Sequence, residues 1–186
     1  MIQPIRLDIP SEITSERLLL RVPRPGDGVV LIDAVRDSLP ELKPWMPWAK
    51  DDYSVADAED WCRRAAAKRI LGEDANYFIL HRQTGRFMGN ITSFSKDWRV
   101  PKFEIGYWLS TREVGHGYMT EALRAVTQMT FDVFGARRIE VHTDSTNHRS
   151  RRVAERAGYE LEGILKNNNR DPADRVYDNC MYARIR

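Results

Sequence analysis

The 186-residue chain has only two cysteines, Cys62 and Cys180, at unrelated positions, which supports neither a disulfide framework nor a zinc knuckle. Its four histidines, His81, His116, His142 and His148, show no metal-ligand spacing, and no metal is expected. No apolar run approaches the roughly 20 residues that a membrane span needs. The opening Met1-Ile2-Gln3-Pro4-Ile5-Arg6 lacks the apolar region of a signal peptide, so a cytoplasmic location with no membrane partner is expected. Charge of one sign is scarce too: 29 Lys and Arg against 27 Asp and Glu leave a formal charge of +2, too little for a general nucleic-acid binder. Internal repeats and low-complexity linkers are absent. With 42% hydrophobic and 30% charged residues, the composition is that of an ordinary globular protein. The length suits one domain over 1–186 with a substantial core and is short for two.

What the chain does have is Val114-Gly115-His116-Gly117-Tyr118-Met119-Thr120-Glu121-Ala122, two glycines set between a strand pattern and a helix pattern. The strand pattern is Phe103 to Leu109, β-branched and aromatic, with Gly106 hinting at a bulge or a close backbone approach. The helix pattern is Met119, Ala122, Val126, Met129 and Val133, spaced three and four apart on one face. Unpaired N–H groups and the positive end of a helix dipole attract anions, and glycines let the backbone come close to a bulky one, so a pyrophosphate suits this loop. A tight turn needed for packing explains the same glycines. Two familiar phosphate loops do not fit: Tyr118-Met119 supplies no lysine and hydroxyl pair, and the third glycine of a dinucleotide fingerprint is missing.

Arg112-Glu113-Val114-Gly115-His116-Gly117 resembles the acetyl-CoA loop of the GNAT superfamily of N-acetyltransferases, Gln/Arg-x-x-Gly-x-Gly/Ala ahead of a helix. In a second register, Gly115 to Leu123 is similar to the Gly-Lys-Gly-Tyr-Ala-Thr-Glu-Ala run of the ribosomal-protein-alanine acetyltransferase branch, with Val114 in the Gln/Arg place and Met119 in the small-residue place. Thr14-Ser15-Glu16-Arg17-Leu18-Leu19-Leu20-Arg21 resembles that branch's opening strand, and Glu104-Ile105-Gly106-Tyr107-Trp108-Leu109 its splayed central strand. Asn147-His148-Arg149-Ser150 with the helix to Gly158-Tyr159 resembles its Asn-x-x-Ser segment, and Glu162-Gly163 and Tyr177 to Tyr182 fit as well. The resemblance covers most of the chain in order. It implies an α+β fold, a mixed, mostly antiparallel central sheet splayed at an acetyl-CoA cleft and flanked by helices.

Strands are expected over Glu16 to Val22, Tyr77 to Arg82, Phe87 to Phe94, Phe103 to Leu109, Arg138 to Thr143, Tyr159 to Leu165 and Val176 to Ala183. Helices are expected from Pro25-Gly26-Asp27 to about Arg36, from Ser54 with a capping-box-like Asp57 to about Leu71, after the glycine loop to Gly135, and from Asn147 to Gly158. Leu39 to Trp48, with three prolines and two tryptophans, reads as an ordered loop or short turns, and Lys166 to Arg175 as a polar loop.

The activity implied by the resemblance is acetyl-CoA-dependent transfer to a primary amine, a protein N-terminus or a small molecule. Such a reaction asks for a neutral amine, an aligned thioester, a donor to the developing oxyanion and a proton for the thiolate. At pH 7 an α-amine is roughly 10–17% neutral and a lysine about 0.04%, so an N-terminal acceptor needs less of a base. The resemblance makes Glu104 the base and Ser150 the acid, with the Leu109 N–H as oxyanion donor. It sets the cofactor against Trp108, Leu109, Ser110, Asn147 and Ser150, and its pyrophosphate against Val114, Gly115, His116, Gly117, Tyr118, Met119 and Thr120. Each has an ordinary alternative: Glu104 as a paired strand carboxylate, Ser150 or Asn147 as a helix cap, His116 as a surface turn residue. Arg149, Arg151, Arg152 and Arg156 are either a solvated helix face or near the 3′-phosphate of coenzyme A. Trp45 and Trp48 wall the acceptor pocket, pack as buried aromatics, or form a homodimer contact. The glutamate proposed as base in the branch's penultimate loop is replaced here by Asn167-Asn168-Asn169-Arg170. That departure leaves open a non-catalytic acyl-CoA-binding module, and a larger acyl-CoA such as succinyl-CoA stays open as well.

Overall fold

Apolar residues on both faces of the central strands call for helices on both faces of a sheet, and the computed structural model, which describes residues 4–186, has that arrangement. The chain runs β1 (Glu12–Thr14), β2 (Leu18–Arg21), α1 (Gly28–Asp37), α2 (Leu39–Leu42), α3 (Val55–Leu71), β3 (Asp74–His81), β4 (Phe87–Asp97) and β5 (Lys102–Leu109). It continues through α4 (Tyr118–Val133), β6 (Arg138–Asp144), α5 (His148–Arg156), β7 (Glu160–Arg170) and β8 (Val176–Ile185). The eight strands form one sheet in the order β1-β2-β3-β4-β5-β6-β8-β7. Every neighbouring pair is antiparallel except β5 and β6.

Alternation along the strands divides the core. Tyr77, Ile79, Phe103, Ile105, Ile139 and Val141 face α4 and α5, packing on Leu123, Val126 and Ala154. Phe78, Leu80, Phe87 and Trp108 face the other way, onto Leu31, Ile32 and Val35 of α1 and Ala58 and Cys62 of α3.

The ends of α3 are written in its sequence. The Ser54 hydroxyl accepts from the Asp57 N–H at 3.2 Å, and the Asp57 carboxylate accepts from the Ser54 N–H at 2.9 Å. Gly72 closes the helix at φ 73°, where a Cβ would also strike the Pro4 carbonyl oxygen at 2.0 Å. Ser54→Ala is expected to lower Tm by about 2–4 °C in a thermal melt, the usual cost of losing such a cap in a domain of this size.

Three expectations change. The Leu39–Trp48 segment contains a four-residue helix, α2, because Pro40 sits in the first turn, where a missing N–H costs nothing. The expected polar loop from Lys166 shrinks to the residues after Arg170: β7 continues through Asn167 to Asn169, pairing Asn169 with Tyr177 across a register shift, with Asn167 at φ 49°. The first expected strand shortens to β2, and the three-residue β1 precedes it.

One pairing positions everything that follows. β5 and β6 run side by side for only three pairs, Lys102 with Arg138, Phe103 with Ile139 and Glu104 with Glu140. Beyond them Ile105–Leu109 and Val141–Asp144 part, and the sheet opens at its centre.

Candidate active site

A cleft of about 1440 Å³ passes through that opening. On the α4–α5 side it is bounded by the glycine loop, Asn147 and Ser150; on the other side by Trp45, Trp48, Trp61, Glu104 and His142.

The glycine loop takes its shape from two left-handed residues, Gly115 at φ 91° and Gly117 at φ 78°. A Cβ on Gly115 would meet nothing within 4 Å, so it is the backbone conformation, not space, that calls for glycine there. Gly117 is the N-cap of α4 and brings no capping side chain, so the first-turn N–H groups of Tyr118, Met119 and Thr120 have no intrahelical acceptor. Val114, Gly115, Gly117, Tyr118, Met119 and Thr120 all line the cleft. His116 does not: its ring lies against Tyr118, centroids 5.7 Å apart, and its carbonyl accepts from Arg17 Nη1 at 2.9 Å.

Arg17 was legible only as part of a strand, yet it fastens this loop. Its Nε donates to Glu121 Oε2 at 2.7 Å, its backbone N–H to Oε1 at 2.8 Å, and its guanidinium lies 4.8 Å over the Tyr118 ring. Ser15 Oγ adds a bond to Glu121 at 2.7 Å. Burial would raise the Glu121 carboxyl, but the bonds from Arg17 and Ser15 outweigh it and hold it below the usual range.

At the open edge of β5 the backbone alternates. Ser110 N–H donates to the Met88 carbonyl at 2.7 Å, which makes that an inter-strand bonded pair. Its neighbour Leu109, opposite Gly89, is therefore a non-bonded pair whose N–H turns from β4 toward the gap. Ser110 itself is buried, does not line the cleft, and lies with its hydroxyl 3.4 Å from that of Ser38. Trp108 lines the cleft but commits its ring to the core, 5.8 Å from Trp48 and 5.9 Å from Phe87.

On α5, Asn147 is the cap: its side chain accepts from the Ser150 N–H at 3.1 Å. That frees the Ser150 hydroxyl, which lies 3.2 Å from Tyr107 Oη on β5, inside the cleft wall. Burial pushes the Tyr107 phenol up to about 12, against the bond from Ser150, which lowers it, so it stays protonated. Arg149, Arg152 and Arg156 line the cleft, whereas Arg151 turns away to Tyr182 Oη at 3.1 Å and the Ser145 carbonyl at 3.0 Å.

Glu104 faces the other half of the cleft, and Lys96 Nζ holds its carboxylate at 3.0 Å. Trp45 and Trp48 lie there too; Trp48 also packs against Tyr53 at 5.8 Å. Asn76, Thr92, His142, Asp144 and Asn179 also line this half; strand alternation alone gives them no functional signal in the sequence. Among the described residues no group of three His, Cys, Asp or Glu could hold a metal ion, and no helix is long and apolar enough to cross a membrane.

Comparison with known proteins agrees with this architecture. Residues 17–160 match the acetyltransferase (GNAT) domain family. The ribosomal-protein-serine acetyltransferase of Escherichia coli K12 is 36% identical over 148 residues, 77% of this chain and 80% of that protein. Among solved structures, the microcin C7 self-immunity acetyltransferase MccE, in complex with acetyl-CoA and AMP, superposes with a TM-score of 0.87 at 21% identity, covering 95% of this chain and 97% of that one. RimL, a ribosomal L7/L12 α-N-protein acetyltransferase in complex with coenzyme A, gives 0.84 at 24% identity, with coverage of 95% and 97%. The chain belongs to the GNAT family of acetyltransferases and is an acyltransferase enzyme.

Proposed function

We propose that the chain, acting as a single domain over 1–186, transfers acetyl from acetyl-CoA directly to a primary amine, and that the amine is a protein N-terminus. One observation carries the reading: a single cleft runs through the parted strands, with the uncapped start of α4 on one side and an aromatic-walled chamber on the other. The relatives that act on ribosomal proteins support the choice of acceptor.

The residues present suit acetyl-CoA. Gly115 and Gly117 bring backbone close to its pyrophosphate, the unpaired N–H groups of Tyr118 to Thr120 face it, and Arg149, Arg152 and Arg156 add positive charge along the same wall. The thioester supplies an activated acetyl group. Asn147 and Ser150 border the pantetheine arm, and the outward backbone of Leu109 pairs with it as a missing strand would. As charge develops on the carbonyl oxygen, the Leu109 N–H meets it. Ser150 donates its proton to the departing sulfur; the Tyr107 phenol, which donates to the Ser150 carbonyl at 3.1 Å and lies 3.2 Å from the hydroxyl, holds that side chain in place. Trp45 and Trp48 border the acceptor.

A thermal shift with acetyl-CoA, beside ATP and NADH, tests the cofactor. About 1 mM ligand against a dissociation constant near 10 μM stabilises by roughly 2.7 kcal/mol, or about 5–11 °C in a domain of this size. The shift should be specific to acetyl-CoA, and thiol should appear when a short peptide with a free N-terminal serine is added. No shift overturns the reading; a shift without thiol release from any amine points to a binding module.

A further inference from the structure

The base expected at Glu104 is already engaged by Lys96, and the structure offers another candidate two residues past the last β5–β6 pair. His142 lies on the same face as Glu104, lines the cleft, and stands across the gap from Gly106, which presents no side chain. Its Nε2 is 3.0 Å from Glu140 Oε2, and its Nδ1 is 3.3 Å from Asn179 Nδ2. Nε2–H therefore donates to the carboxylate, and the Nδ1 lone pair is left with one long amide contact at the cleft wall.

We propose that His142 is the general base of the acetyl transfer proposed above, with Glu140 as the residue that orients its ring and Nδ1 as the proton acceptor. The inference rests on that transfer reading. A carboxylate behind an imidazole fixes which nitrogen is free and stabilises the imidazolium that forms. Glu140 is suited to this. Burial raises its carboxyl, but bonds from Arg138 and His142 more than reverse the effect and hold it below the ordinary range, so it stays ionised at neutral pH. Arg138 is itself shared with Glu162 of β7, which keeps the carboxylate in place.

The proton count closes. The amine loses a proton to Nδ1 as the C–N bond forms, directly or through one water. The C–S bond breaks, and sulfur takes the Ser150 proton. The imidazolium then returns its proton through solvent to Ser150. Among the charged groups facing this side, Asp144 is tied up by Arg175, which also holds Asp171 on the β7–β8 turn, and Glu104 by Lys96. Tyr177 is held above its usual value, chiefly by burial, and stays neutral. Glu140 is thus the carboxylate in direct contact with the ring.

The test is a pH profile of kcat/KM with acetyl-CoA and a short peptide bearing a free N-terminal serine. Wild type should fall on the acid side with two protons, one from the amine and one from His142. His142→Gln should lose at least about 100-fold at pH 7 and fall with one, while keeping its thermal shift with acetyl-CoA. Glu140→Gln removes the charge that favours imidazolium, so the acid limb should move to lower pH. The NMR titration midpoint of the His142 ring, assigned by its absence in His142→Gln, should coincide with the limb and move with it. A His142→Gln chain within about threefold of wild type and retaining the two-proton limb overturns the proposal, as does transfer of both effects to Glu104→Gln. A wild type that neither binds acetyl-CoA nor releases thiol overturns the underlying transfer reading as well.

Discussion

Leu109→Pro is expected to reduce kcat by about 10²–10³-fold, the usual loss on deleting one oxyanion donor, while the fold persists. Proline is the one substitution that removes a backbone N–H, and here it takes nothing from the ladder. The neighbouring Ser110 N–H is the one bonded to Met88, so that of Leu109 points into the gap. Trp108 before it is already in extended strand backbone, as a residue preceding proline must be. Leu109→Ala keeps the N–H and separates the side chain's part from the backbone's. The measurement is kcat with the N-terminal serine peptide, beside Tm. An unchanged kcat in the proline variant would assign the oxyanion to another donor.

Gly89→Ala should be the most damaging single methyl group in the sheet. A Cβ at Gly89 would lie 2.3 Å from the Trp108 carbonyl oxygen and 2.9 Å from the Leu109 Cα, both backbone and unable to rotate aside. β4 and β5 would have to separate at the site itself. A cost at or beyond the top of the about 1–3 kcal/mol range for overpacking follows, which is a fall in Tm of roughly 6–12 °C or more. Acetyl-CoA should restore less stability to this variant than to wild type, because the carbonyl that must shift borders the Leu109 amide. An alanine variant melting within 2 °C of wild type would show that the strands part there without strain.

Much of this architecture is legible locally. Ser54 with Asp57 as a capping box, the spacing of Met119, Ala122 and Val126 as a buried helix face, and the two glycines as a turn ahead of α4 each carry their meaning within a few residues and are found in the structure. The departures have a common cause. Asn167 to Asn169 read as loop because asparagine favours turns, yet pairing with β8 on either side, Leu165 with Asn179 and Asn169 with Tyr177, carries the strand past a left-handed Asn167. Arg17 and Glu121 are 104 positions apart, and nothing near either predicts the bond. His142 faces the cleft only because β6 pairs with β5 in one register and then leaves it. That register depends on a crossover through the glycine loop and α4, and no window of sequence contains it. Ser150 and Asn147 are both good capping residues in the sequence, and only the folded turn shows that Asn147 takes the cap.

The three-pair seam between β5 and β6 also has a mechanical meaning. The sheet is two leaves, β1–β5 and β6–β8, meeting along a line of weak bending, and the angle between them is an aperture. A small change of that angle moves most what lies farthest from the seam, the open ends at Leu109 and Asp144. α4 packs on β2, β4 and β5 of one leaf and on α5 beside the other, so it spans the line as a brace. Leu123 and Val126 on its buried face share one core with Ile105 of the first leaf and Ile139 and Val141 of the second, and neither lines the opening.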